Sequence, residues 1–130
     1  MIEQTELAVA VWDYNPPSQP IPPEQLTSTV SLDVMKKRAA DKKGIACRFT
    51  CQFMFEGQTI LQYAASDTYV IDIADVIDVN ELHTMINNSY TKFKETFDIR
   101  KLGTILQHKK LLPFDEKRYD LEPVLELLRD

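Results

Sequence analysis

The chain has 130 residues, of which 44% are hydrophobic and 27% charged. That length fits one domain, residues 1–130, with enough apolar content for a core that needs no disulfide or metal. A formal net charge of -5 counts against a nucleic-acid partner, which calls for a clustered basic surface, and no run approaches the ~18 apolar residues of a membrane span.

Residues 1–11 carry neither a basic start nor a long apolar run, so no secretory signal is expected and the expected location is cytoplasmic. Glu6 to Tyr14 mixes β-branched and aromatic residues in alternation and predicts a first strand, with Leu7, Val9 and Val11 on one face. Pro16, Pro17, Pro20, Pro22 and Pro23 then forbid a helix or a central strand, so this crossing runs extended over the surface. Alternation resumes over 28–37, with Val30, Leu32 and Val34 on one side. Lys36, Lys37, Arg38, Lys42 and Lys43 are interrupted by Asp33 and Asp41 and read as a solvated hairpin tip, with a turn over 41–44.

Residues 45–56 give the clearest strand. Ile45, Cys47, Phe49, Cys51, Phe53 and Phe55 occupy odd positions, while Arg48, Thr50 and Gln52 stand between them. One buried and one mostly polar face suit an antiparallel sheet. Cys47 and Cys51, roughly 13 Å apart on one face, are too distant to bridge and read as small core residues in a reducing compartment. Glu56-Gly57-Gln58 is a hairpin turn by composition. A fourth strand is expected over 59–73, with a bulge or corner at the polar pair Ser66-Asp67.

Asp78 or Asn80 can cap a helix beginning there. Leu82, Met85, Ile86, Tyr90, Phe93 and Phe97 fall at helical spacing, and the phase shifts near Asp98 before Ile99, Leu102, Ile105 and Leu106 continue. A long helix over about 80–107, kinked or re-capped at Asp98, is predicted. If it turned Met85, Ile86 and Ile105 outward, a second subunit would be expected to bury them. Leu111-Leu112-Pro113-Phe114 reads as an apolar loop, and Asp120 as the cap of a short helix over about 121–129. Four strands followed by helices define an α+β fold: a four-stranded antiparallel sheet with its helices gathered on one side.

Chemistry is sparse. His83 and His108 have no Cys, Asp or Glu at zinc spacing, the three glycines form no phosphate loop, and no serine sits in a nucleophile elbow. No metal, cofactor or catalytic residue is therefore predicted, and the chain reads as a binding protein rather than an enzyme. An enzyme with an unrecognised site stands as the third reading. The proline-rich crossing, with Trp12, Tyr14, Ile21 and Leu26, together with the amphipathic terminal segment of Leu121, Val124, Leu125 and Leu128, could wall an apolar groove. The alternative is that both simply close over the core.

The order and spacing of these segments resemble the SecB export-chaperone family. Thr29-Val30-Ser31-Leu32-Asp33-Val34 looks like that family's second strand, Ile45 to Phe55 its third, and Ile60-Leu61-Gln62-Tyr63-Ala64 with Tyr69-Val70-Ile71-Asp72-Ile73 its broken fourth. Leu82 to Leu106 is similar to its interrupted long helix, with Phe97-Asp98-Ile99-Arg100 at the interruption, and Leu121-Glu122-Pro123-Val124-Leu125 to Leu128 to its closing segment. The resemblance implies an ATP-independent chaperone of protein export and transport, assembled as a dimer or tetramer. Carried over by position, it implies a groove for unfolded polypeptide at Ile21, Leu26, Leu121, Val124, Leu125 and Leu128. The family docks on the SecA motor through acids on the exposed sheet face. Here Tyr63 stands at one such place beside Leu61, Asp13 matches another loosely, and no zinc-contacting tail follows the last helix. These departures count against SecA as a partner. They favour, equally with export, a dedicated interaction protein: an antitoxin- or immunity-type inhibitor or a single-client chaperone. Such a protein would dock through a sheet face of Asp13, Arg48, Thr50, Gln52, Leu61 and Tyr63.

Overall fold

The computed structural model describes residues 3–39, 41–72, 76–111 and 121–129. Five strands form one antiparallel sheet: β1 (Glu3–Gln4), β2 (Ala8–Tyr14), β3 (Thr27–Ala39), β4 (Lys42–Phe55) and β5 (Gln58–Asp72). β1 and β2 lie end to end along one edge of β5, so the sheet has four rows, in the order β1/β2, β5, β4, β3. Helices α1 (Val79–Arg100) and α2 (Glu122–Arg129) complete the fold. The predicted α+β architecture is thus the observed one.

Alternation sets which side chains go where. Cys47, Phe49, Cys51 and Phe53 of β4 stand opposite Asp67, Ala65, Tyr63 and Leu61 of β5, and all eight are almost wholly buried beneath α1. From α1 come Leu82, Met85, Ile86, Ser89, Tyr90, Phe93 and Phe97. The aromatic rings do most of the filling. Tyr63 stacks on Phe93 at 4.2 Å, Phe53 on Phe97 at 5.6 Å, and Phe49 lies 5.1 Å from Tyr90. Met85 and Ile86 are buried and Ile105 packs against the core. The condition under which these three would need a second subunit is therefore not met: Met85 and Ile86 are buried within the chain and Ile105 is partly buried.

Several boundaries differ from the sequence expectation. The β3–β4 pairing continues to Ala39 opposite Lys42, so most of the expected 41–44 turn is strand. β5 runs unbroken through Ser66-Asp67; the irregularity falls at Ile60, where pairing jumps from Phe53↔Leu61 to Met54↔Thr59. A second bulge at Ala10 reverses the facing of β2. Val9 therefore lies on the helix side with Trp12 and Tyr14, and Val11, expected to share Val9's face, looks the other way.

Asp78 caps α1, its carboxylate accepting the Glu81 amide at 2.8 Å. The helix passes through Asp98 without a break and stops at Arg100, short of the expected 107. Residues 101–108 are turns, with Gly103 at φ 81° and three-residue hydrogen bonds from Thr104, Gln107 and Lys109. The apparent phase shift near Asp98 marks this departure. The Tyr14 hydroxyl accepts the Ile105 amide at 3.1 Å and ties the turns to β2. Asp120, Leu112, Pro113, Phe114 and Ile73 lie outside the described residues.

Candidate functional site

The groove expected at the crossing and α2 divides into buried and accessible residues. A short 3-10 turn over Pro23–Gln25 delivers Leu26 into the core, where it is 6% exposed. α2 packs against β3, which brings Leu121 and Leu125 to 7% and 3% exposure. Ile21 and Val124 are half-buried at the margin of the same core. Leu128 belongs to α2, but its side chain lies outside the described residues. Within the single chain, the three buried leucines act as core closure, and of the expected groove residues whose side chains are described only Ile21 and Val124 stay partly accessible.

The second candidate, the sheet face away from the helices, gathers four of its six expected residues. Asp13 stands opposite Gln62, Gln62 opposite Gln52, Ala64 opposite Thr50 and Ser66 opposite Arg48. These rows continue to Thr29, Ser31 and Asp33 of β3. The result is a face of mostly short polar and amide side chains, with Asp13 and Arg48 exposed and Ala64 wholly covered among them. Leu61 and Tyr63 do not belong to it, which corrects their placement. Both are fully buried on the helix side, and the Tyr63 hydroxyl donates to the Phe93 carbonyl at 3.0 Å. Burial pushes the Tyr63 phenol well above the ordinary tyrosine range. The neighbours that do face outward, Gln62 and Ala64, could have been found by counting alternation across β5 from Tyr69 and Ile71.

A third feature was missed from sequence. Asp67 is only 2% exposed and faces α1. Its carboxylate accepts Ser89 Oγ at 2.6 Å and Gln4 Nε2 at 2.8 Å. The Tyr69 hydroxyl accepts the same Gln4 amide at 2.8 Å and donates to the Met85 carbonyl at 2.8 Å. Cys47 lies beside this cluster; burial, and then the Asp67 charge, push its thiol up to about 12. The signal was available in the parity: Asp67 occupies the same odd register as Tyr63, Ala65, Tyr69 and Ile71.

Near the start of α1 a surface cavity of about 350 Å³ is lined by Tyr69, Asp78, Asn80, Glu81, Thr84, Met85 and Asn88. Among the described residues no three His, Cys, Asp or Glu side chains gather to hold a metal, and no helix is long and apolar enough to cross a membrane. His83 is half-buried in α1 and His108 is exposed in the turns after it.

A continuous antiparallel sheet, a long helix laid across one face and a short terminal helix on the flank of that face make this a SecB-like fold. Among solved structures it matches that of a Mycobacterium tuberculosis SecB-like chaperone in complex with a ChAD peptide from the HigA1 antitoxin. The two share 14% sequence identity over 88% of each chain, with a TM-score of 0.51. At that identity the likeness establishes the fold. No protein-family model and no curated protein matches the chain.

Proposed function

We propose that this chain is a SecB-like, ATP-independent chaperone that binds unfolded or partner polypeptide and works as a homo-oligomer. The observation that carries the reading is the whole-chain fold correspondence with a SecB-like chaperone solved with a peptide on it. In this reading, client side chains settle at the margin of the core where Ile21 and Val124 are half-buried, above Leu26, Leu121 and Leu125. Burying a few hundred Å² there contributes about 25 cal/mol per Å², much of it offset by ordering the client. Several such sites in one oligomer would then raise the overall affinity. The reading assigns no catalysis and goes with a cytoplasmic location.

Aggregation of a chemically unfolded client, followed by light scattering, tests it. The wild-type chain is expected to suppress aggregation, and Ile21→Asp with Val124→Asp to weaken suppression about tenfold, equivalent to about 1.4 kcal/mol, with an unchanged circular dichroism spectrum. Full protection by the double variant removes this site. No protection by the wild type removes the reading. Leu125 is unsuitable for such a test because a buried aspartate there would unfold the chain.

The comparison structure holds a segment of one antitoxin, and this supports a second reading: a dedicated partner bound on the outer face through Asp13, Arg48, Thr50 and Gln52. A single stoichiometric partner on affinity capture supports it, and a spread of nascent chains supports the first. Delivery to SecA is left out of both readings, since Tyr63, which stands where the resemblance expects an acid, is buried on the helix side and its partly exposed neighbour Gln62 is not acidic.

A further inference from the structure

Among the described residues the large apolar side chains that stand exposed are Met35, Val76, Val79, Ile99 and Leu102. All but Met35 lie at the two ends of α1. Val76 and Val79 stand either side of its N-cap, Asp78, and are 81% and 39% exposed. Ile99 and Leu102 stand either side of its last residue, Arg100. The helix between holds the two pairs about 30 Å apart. Aliphatics scattered singly over a surface need no explanation, but pairs at both ends of one helix do.

The two ends differ in shape and in charge. At the start of α1 the exposed Asp78 and Glu81 line the cavity of about 350 Å³, together with the buried Tyr69 and Met85. None of its described lining residues is a cation. The other end projects. The Thr104 amide donates to the Lys101 carbonyl at 3.0 Å and Gly103 has φ 81°, a turn that puts Leu102 at its outer corner. Arg100 stands close by, its guanidinium 5.7 Å from the Trp12 ring centre. The Lys101 ammonium donates to the Lys109 carbonyl at 2.6 Å and so folds Lys110 back to the same end. Residues 92–110 hold six Lys and Arg against two acids in a chain of net charge -5, whereas residues 49–91 hold no Lys or Arg. Acids early and bases late suit the helix dipole by themselves. The dipole does not account for the exposed aliphatics beside them, nor for the cavity.

We propose that the cavity at the start of α1 receives the 99–102 end of α1 from a second copy of this chain. Leu102 of one copy would settle beside Val79 of the other, over Tyr69 and Met85, and Arg100 would meet Glu81. Both pairs fit one antiparallel register of the two helices, since they are centred on the same point of α1. Each copy carries both halves, so the contact occurs twice and closes a two-fold pair. The charges fix the direction: a parallel pairing would set Glu81 against Glu81 and Arg100 against Arg100. This inference rests on the homo-oligomer of the reading above and names the surface that makes it.

The full chain with Val79→Cys and Leu102→Cys tests it. A disulfide needs Cα atoms within about 7 Å, so these two cysteines cannot join within one chain, and the native Cys47 and Cys51 are fully buried. Mild oxidation is expected to give a covalent dimer on a non-reducing gel, with little from either single-cysteine variant. A second arm reverses the charges. Glu81→Arg and Arg100→Glu are each expected to raise the dissociation constant of the pair at least about tenfold by sedimentation. The double variant is expected to recover association, which two independent losses of fold would not do. No dimer from the cysteine pair, or no recovery in the double reversal, overturns this contact. If the wild type meanwhile sediments as an oligomer, assembly through another surface stands. A wild type that sediments as one chain at every concentration removes both this contact and the oligomer.

Discussion

At the scale of single residues, Cys47 and Cys51 were readable as core from their spacing alone, and both are fully buried. Burial pushes each thiol from 9.0 to about 12. In the unfolded chain the thiols ionise above pH 9, while the folded chain keeps its protons until about 12. The folded state therefore binds more protons in that window, and stability falls as pH rises through it. Each thiol should cost up to about 1.4 kcal/mol per pH unit between 9 and 12, with no contribution below 9. Urea unfolding at pH 8, 9 and 10 should show this slope, shallower in Cys47→Ala with Cys51→Ala whatever the baseline loss from the cavities. Tyr69, which burial raises to about 12, adds to the slope above pH 10. Asp67 carries the same signal of spacing on β5, but its residue type hides it. A Ser-Asp pair looks like a turn, and only partners 63 and 22 residues away make its burial tolerable.

At the scale of elements, the β4–β5 hairpin was legible from Glu56-Gly57, and its geometry explains why. Glu56 has φ 48° and Gly57 φ 79°, the two positive angles of a primed turn whose twist matches the strands. Glutamate is a poor occupant of that first position, since a left-handed backbone costs an ordinary L-residue about 1 kcal/mol. Glu56→Asn is expected to raise stability by roughly 0.5–1 kcal/mol and the thermal midpoint by a few degrees, measured by calorimetry. The bulges at Ala10 and Ile60 were not placed from sequence: the adjacent apolar pairs Val11-Trp12 and Ile60-Leu61 interrupt the alternation there, but only the partner strand reveals which residue is extra. The end of α1 was misplaced for a related reason: Ile105 and Leu106 sit at helical spacing, yet turns return them to the core.

At the scale of the whole molecule, the architecture was legible because four alternating segments precede any helical pattern, which leaves an antiparallel sheet with helices on one face as the simple arrangement. The binding site was only half legible. Composition separates apolar from polar, but it does not say whether Leu26, Leu121 and Leu125 close a core or line a groove. Among the described residues the large apolar side chains left exposed are Met35, Val76, Val79 and, at the C-terminal end of α1, Ile99 and Leu102, which are 71% and 67% exposed. If the proposed oligomer uses that end of α1, Ile99→Glu with Leu102→Glu will lower the sedimentation mass without unfolding the chain, since neither side chain contributes to the core; an unchanged mass assigns assembly to another surface. Trp12, the sole tryptophan, meets Tyr63 edge-on at 5.3 Å and carries the Arg100 guanidinium 5.7 Å from its ring centre. Its emission is thus a built-in gauge of the seam between β2 and the end of α1, so a client that pries this seam open will announce itself as a colour change, with no label attached.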